Sequence, residues 1–379
     1  MAIRISFFYA SLFLVIGVML PFWPVWLESR GLGPAQIGLV MAAGMWVRAL
    51  SNPLLAQFAD RYGRPDRLMI FVAWAGLIVH FLFLPAHGFW ALLAASIPAT
   101  MFLFALMPLG DAVTMLKVRE GDIDYGRVRL WGSLTFIITA SFSGFFLEGR
   151  HPDSILWLII SFIGLTLLSC HFLPRADTAG NRDFFAPIKA VLASRPVLIF
   201  MLGAALVQSS HGVLYGFATL HWRQAGIPDS VIGALWAEGV VAEIILFAVS
   251  GSLLKRLKPI HFLIMAASAG IIRWLILAET SAIPALIFVQ SLHAFTFGAT
   301  HLAGLHFIAR MIPAKYAATA QSIYSSTAVG GAMALSTMFA GILYENFSSG
   351  AYYAMAAMCT AGLLAAFWAL RISRRLDSA

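Results

Sequence analysis

Apolar stretches of 17 to 27 residues recur twelve times along this 379-residue chain, separated by polar connections. They lie near 6–27, 37–56, 68–84, 90–109, 130–147, 155–172, 197–220, 231–254, 262–278, 283–309, 318–344 and 351–369. A helix rising 1.5 Å per residue needs roughly 20 residues to cross a hydrocarbon core, so the pattern predicts twelve transmembrane helices. Composition points the same way: 60% of the residues are hydrophobic and 11% charged, more apolar surface than a soluble domain buries. The expected fold class is an all-α membrane protein. The first stretch runs into Pro21-Phe-Trp-Pro24 rather than a small-residue cleavage site, so it reads as a span.

Charge adds an orientation. With the N-terminus cytoplasmic, 20 of the 25 Lys and Arg residues fall on the inner side. Arg30, Arg150 and Arg223 fall outside, and Arg48 and Arg273 lie within spans. This is the bias of positive-inside loops and predicts that both termini are cytoplasmic. The net charge of +8 is spread over seven short loops rather than one face, which argues against a nucleic-acid partner. Cys170 and Cys359 sit in apolar stretches and suggest neither a disulfide framework nor a metal site; no cofactor is expected.

The one long polar connection, 173–196, divides the chain into an N-terminal six-helix bundle (1–172), a cytoplasmic linker and a C-terminal six-helix bundle (197–379). A shift of 195 positions lays Gly31-Leu-Gly-Pro-Ala-Gln-Ile-Gly38 over Gly226-Ile-Pro-Asp-Ser-Val-Ile-Gly233, and Gly44 over Gly239. Such a repeat predicts two pseudo-symmetric halves, the plan of a rocking transporter whose site lies between them near the midplane.

After the second stretch stands Ala56-Gln-Phe-Ala-Asp-Arg-Tyr-Gly-Arg64. It resembles the loop 2–3 signature of the major facilitator superfamily, Gly-x-x-x-Asp-Arg-x-Gly-Arg, with Ala56 in place of the leading Gly. The corresponding loop 8–9, Gly251-Ser-Leu-Leu-Lys-Arg-Leu-Lys258, keeps the basic residues and lacks the Asp. A narrower resemblance runs through Leu20–Leu27, Asp124-Tyr-Gly-Arg-Val-Arg-Leu-Trp-Gly-Ser133, Gly239–Phe247, Arg273-Trp274, His293 with His301, and Tyr324 with Gly330-Gly331. These look like the 3-phenylpropionate permease branch, related to the lactose and nucleoside proton symporters. The resemblance implies proton-coupled uptake of a small organic acid, with an aromatic carboxylate a natural candidate, by a monomer in a bacterial inner membrane.

A charge at membrane depth costs at least ~2.5–3.5 kcal/mol on insertion scales, so each needs a partner or a wet cavity. The 195-residue shift places Arg48 on Glu243, opposite charges at equivalent positions of the two halves. Glu243 is the expected proton-titrating group, with His293 and Glu238 as further coupling candidates. Arg48 and Arg273 are expected to bind substrate, since the guanidinium fork accepts a carboxylate bidentately. His301, Phe22 and Tyr215 join them as polar and stacking candidates. Depth along the helices pairs Arg273 with Glu238, whereas the resemblance singles out Glu243. His80 and His211 carry less weight. The expected gating residues are Asp60, Arg61 and Arg64 of the loop signature with Asp111, Tyr125 and Arg129; Asp111 could also neutralise Arg48. Trp23, Trp26 and Trp222 fit an interfacial belt.

The chain has no His-Glu-x-x-His, Gly-x-Ser-x-Gly or Walker loop, so neither enzyme chemistry nor self-contained primary transport is indicated. A symporter of a neutral sugar or nucleoside and a drug or metabolite exporter of the same fold remain the competing readings.

Overall fold

The computed structural model describes residues 1–176, 195–254, 256–311 and 324–377, apart from the side chains at 53, 56–57, 60–62, 309, 327–329 and 373–377. All regular structure among them is helical. The helices are α1 (Ala2–Ser29), α2 (Pro34–Tyr62), α3 (Pro65–Phe81), α4 (Gly88–Arg119), α5 (Tyr125–Leu147), α6 (Asp153–His171), α7 (Arg195–Ser209), α8 (Gly212–Gln224), α9 (Asp229–Leu254), α10 (Pro259–Glu279), α11 (Ile283–Ser291), α12 (Thr300–Met311), α13 (Ala332–Phe347) and α14 (Ala351–Asp377). π-helical segments occupy Ala294–Ala299 and Ser325–Gly331.

Nine helical stretches among the described residues are long and apolar enough to cross a membrane. The twelve expected spans map onto them unevenly. Helix α3 has only 17 residues, and α2 carries Arg48, Asn52, Asp60 and Arg61, so neither reaches that standard. Helices α13 and α14 count as one continuous stretch, and the start of the eleventh expected span lies outside the described residues. The outer surface is what lipid requires: Trp90, Phe145 and Leu364 are each more than 60% exposed.

Chain packing separates two units, the described residues of Met1–Asn181 with Trp222–Ala237 and those of Arg182–His221 with Glu238–Ala379. In the first, α1 packs along α5 and α6, and α4 along α2 and α3. Glycine permits the closest crossings. A Cβ on Gly144 of α5 would stand 2.2 Å from the carbonyl O of Asp229, and one on Gly233 of α9 would stand 2.3 Å from that of Ala140. Side chains are excluded there, as is common where membrane helices touch. In the second unit, α10 lies along α14, and α14 along α7. Its apolar core includes Phe200 stacked on Phe307 at 3.9 Å, with Ala266, Ala267 and Ala366 admitting the neighbouring helices.

The loop signature has a local explanation. Gly63 closes α2 in the left-handed region (φ 72°), donating its N–H to Ala59 O at 2.9 Å, and Pro65 opens α3 at once. Asp124 caps α5 by accepting the Arg127 N–H at 2.8 Å, which accounts for the Asp in the Asp-Tyr-Gly-Arg run.

The three tryptophans assigned to an interfacial belt are instead inside: Trp23, Trp26 and Trp222 are all buried. Trp23 and Trp26 stack at 4.8 Å with Phe83 edge-on to both. Asp153 draws Trp26 inward, accepting its indole N–H at 3.2 Å and Arg30 Nη2 at 2.6 Å. A protein partner for the Trp26 indole N–H removes that ring's need for headgroup or water partners.

Candidate functional site

Two helix interruptions in the second unit create the site. The Ser209-Ser210-His211 run bonds to its own preceding turn, with Ser210 Oγ donating to Val207 O at 2.7 Å, and α7 stops there before α8 resumes. The π-helical segment Ala294–Ala299 interrupts the tenth apolar stretch just after His293. Such segments are frequent at functional positions because they re-aim side chains. His211 and His293 therefore leave the two breaks toward one another, their rings edge-to-face at 5.5 Å.

Between them lies Arg273 of α10, fully buried. It belongs to the buried stripe of that helix that includes Ala266, Gly270 and Leu277, at helical spacing. Nη1 donates to Thr296 Oγ1 at 2.9 Å, His293 Nδ1 at 3.2 Å and His211 Nε2 at 3.3 Å, and Nη2 donates to Gln290 Oε1 at 2.7 Å. Nε has no partner among the described residues. The guanidinium carbon also sits 4.8 Å from the Trp274 ring. Trp274 is itself fixed by an indole N–H bond to Ser210 Oγ at 2.9 Å.

These contacts set the tautomers. His211 Nδ1 is 2.9 Å from Gln208 O, which can only accept, so that nitrogen carries the proton and Nε2 presents a lone pair to Arg273. His293 Nδ1 likewise accepts from Arg273, leaving its proton on Nε2. The cation is thus held by uncharged groups. This corrects the expected resting pair, because the hydrogen bonds of Arg273 run to imidazole, hydroxyl and amide rather than to Glu238 or Glu243. Glu238 lies within electrostatic reach of the guanidinium, and Tyr215 within reach of both Arg273 and Glu243. Glu243 is half-buried, with its Cγ 3.4 Å from where a Cβ on Gly298 would stand. Aromatic faces complete the surroundings: Tyr215 stacks on His211 at 5.4 Å and Phe297 on His293 at 5.3 Å.

Other expected residues fall elsewhere. His301 is exposed, beside the Phe247 ring, and outside the Arg273 cluster. Phe22 is completely buried in the core of the first unit and presents no stacking face. Arg48 makes a cation–π contact with Phe104 at 5.1 Å. Asp111 does not neutralise it; its Oδ1 accepts from Tyr9 at 2.6 Å and Tyr125 at 3.2 Å. Arg129 lies over the rings of Phe13 at 4.2 Å and Tyr9 at 5.5 Å, beside this tyrosine–aspartate cluster. The side chains of Asp60 and Arg61 lie outside the described residues. Arg64 makes a two-pronged pair with Asp66, at 2.9 and 2.7 Å. Burial pushes the Asp66 carboxyl up, but the Arg64 bonds and charge, with backbone N–H groups, outweigh it and hold it below the usual carboxylate range.

Sequence reasoning missed Gln290, Thr296, Tyr9 and Asp66, and underweighted His211. The signal for the first two was present, since Gln290, His293 and Thr296 recur every third residue in an apolar stretch.

A fold of long lipid-facing helices with a cation, imidazoles and carboxylates buried among them is that of a membrane transporter. The chain belongs to the MFS_1 like family, whose model matches residues 2–355, and thus to the major facilitator transporters rather than to the enzymes. It is 35% identical to the probable 3-phenylpropionic acid transporter of Escherichia coli (strain K12), over 92% of each chain. It is 23% identical to the maltose permease of Geobacillus stearothermophilus, over 93% of this chain and 90% of that one. The crystal structure of the nucleoside transporter NupG superposes with a TM-score of 0.83 at 15% identity, over 98% of both chains, and so shares the fold. The protein is a multi-pass membrane transporter of small molecules.

Proposed function

We propose that this transporter imports a small aromatic carboxylate together with protons across a bacterial inner membrane. It works as a monomer of twelve spans in two six-helix halves, with both termini cytoplasmic. The observation that carries the reading is Arg273, a buried cation held by uncharged groups and ringed by Tyr215, Trp274, His211 and Phe297. The positive charge suits a carboxylate and the rings suit an aryl group. The relative named for 3-phenylpropionic acid supports the same substrate class.

In this scheme Arg273 receives the carboxylate and Tyr215 packs on the aryl ring. Glu243 takes the proton, with His293 and Glu238 relaying it. Arg48, the repeat counterpart of Glu243, is a second carboxylate anchor. Arg64, Asp111, Tyr125 and Arg129, with Asp60 and Arg61, move during gating. Phe22 and His301 drop out of the substrate set on their positions. A second reading, uptake of a neutral sugar, draws on the maltose permease relative and on Asp111 with its two tyrosine hydroxyls.

The test is uptake into proteoliposomes of labelled 3-phenylpropionate, maltose and uridine, with and without an inward pH gradient. Gradient-driven accumulation of the acid alone is expected. In Glu243→Gln that accumulation should vanish while acid-for-acid exchange persists. Gradient-driven maltose or uridine uptake without acid uptake would establish the second reading instead.

A further inference from the structure

Within the first unit, α1, α3 and α4 surround a small cavity that has no part in the Arg273 cluster. Its walls include Met19, Trp23, His80, Phe83, Ser96 and Thr100. Most of this lining is apolar, yet two deeply buried polar side chains share it. His80 is 1% exposed and Ser96 is 4% exposed.

Their hydrogen bonding is incomplete in a complementary way. His80 Nδ1 is 2.7 Å from the carbonyl O of Gly76. A carbonyl only accepts, so Nδ1 carries the proton and Nε2 is a lone-pair acceptor. Ser96 Oγ has no partner among the described residues. A helical Ser or Thr commonly bonds back to the carbonyl four residues earlier, as Thr114, Ser161 and Thr166 do here, but Ser96 does not. Leaving a buried hydroxyl unsatisfied costs about 1–3 kcal/mol. Thr100 belongs to the same lining.

A bound water requires space for its own volume and two to four polar partners. The cavity has room for about one or two waters, and its lining includes the His80, Ser96 and Thr100 residues. We infer that this cavity is a built water site, in which a bound water donates to His80 Nε2 and accepts from Ser96 Oγ. The water satisfies both groups and ties α3 to α4 behind the Trp23–Trp26–Phe83 aromatic cluster.

Radiolytic hydroxyl-radical footprinting of the full-length protein in lipid nanodiscs, in ¹⁸O-labelled water, tests this without any variant. Radicals form from bound water in place, so Phe83 should take up ¹⁸O several-fold faster than Phe22 and Phe217, which are as deeply buried. In Ser96→Val, which fills the space and removes the hydroxyl, Phe83 labelling should fall to the Phe22 level and thermal stability should drop. Phe83 labelling no faster than Phe22 in the wild type would overturn the inference. So would a Ser96→Val variant more stable than wild type, the mark of a dry cavity being filled.

Discussion

Replacing the carboxylate of the substrate by its amide, with and without Arg273, gives the sharpest test of the anion reading. A guanidinium has five N–H donors. Two on Nη1 are shared among His211, His293 and Thr296, and one on Nη2 goes to Gln290. The Nε–H and the second Nη2–H are uncommitted among the described residues, which is the number a bidentate carboxylate needs. A hydrogen bond with one charged partner is worth about 1.5–3 kcal/mol, and one with both partners charged lies toward the upper end. Exchanging acid for amide removes the anion and replaces one of its two acceptor oxygens with an NH2 that cannot accept from Arg273, so one bond weakens and the other is lost, at least about 1–1.5 kcal/mol each. The sum, about 2–3 kcal/mol, is a ~30- to 160-fold difference in affinity. The assay is inhibition of labelled 3-phenylpropionate uptake by the unlabelled acid and by its amide. The ratio of the two inhibition constants does not depend on how much folded transporter each preparation contains. It should be large in the wild type and fall toward unity in Arg273→Gln. A ratio near one in the wild type, or one that survives intact in Arg273→Gln, would refute the assignment of this arginine as the carboxylate receptor.

Thr296→Val should weaken substrate binding about 10- to 100-fold, because it removes a hydroxyl that accepts from Arg273 and bonds His211, whereas Thr296→Ser should bind nearly as wild type in the same uptake assay. Gly233→Leu should lower the melting temperature in detergent and impair transport, since its Cβ would meet Ala140 O at 2.3 Å, and overpacking costs about 1–3 kcal/mol or more; an unchanged melting curve would contradict the close crossing. The Asp66 carboxyl has its folded-state pKa below the unfolded value, so its contribution to stability is present above the unfolded pKa, roughly 3.9, and is lost as pH falls further. Asp66→Asn should therefore be less stable than wild type at neutral pH, and the two melting curves should converge on acidification below about pH 4.

Much of the helical layout was legible because a lipid-facing helix must be apolar over its whole length, and twenty-odd such residues leave little ambiguity. Helices α2 and α3 show the limit. Arg48, Asn52 and the Asp60-Arg61 pair dilute α2, and α3 has 17 residues, so the spans expected at 37–56 and 68–84 rest on weaker apolar runs than the others. The site was legible in part. Arg273 and His293 stood out as polar groups in apolar runs, and they do meet. The breaks that turn His211 and His293 toward Arg273 were not read, because a straight-helix count assigns faces at 100° per residue and a π-helical segment departs from that count. The tryptophans failed for a related reason. Asp153, which accepts the Trp26 indole N–H, lies 127 residues away in the chain.

Charge accounting links the buried cation to the proposed symport. A fixed positive charge held by neutral imidazole, hydroxyl and amide groups is costly at membrane depth, and a substrate carboxylate on Arg273 would reduce that cost. The same anion arriving near Glu243 and Glu238 would raise it again through like-charge repulsion, unless one glutamate had already taken a proton. Anion and proton therefore favour one another's binding, a positive coupling that is necessarily reciprocal. Loading either alone shifts the net charge of the site by one unit, whereas loading both leaves it unchanged. On this scheme the chemistry of coupling needs no covalent step and no metal ion. It needs only that Arg273 keep neutral neighbours, so that the carboxylate it takes up is the one being carried.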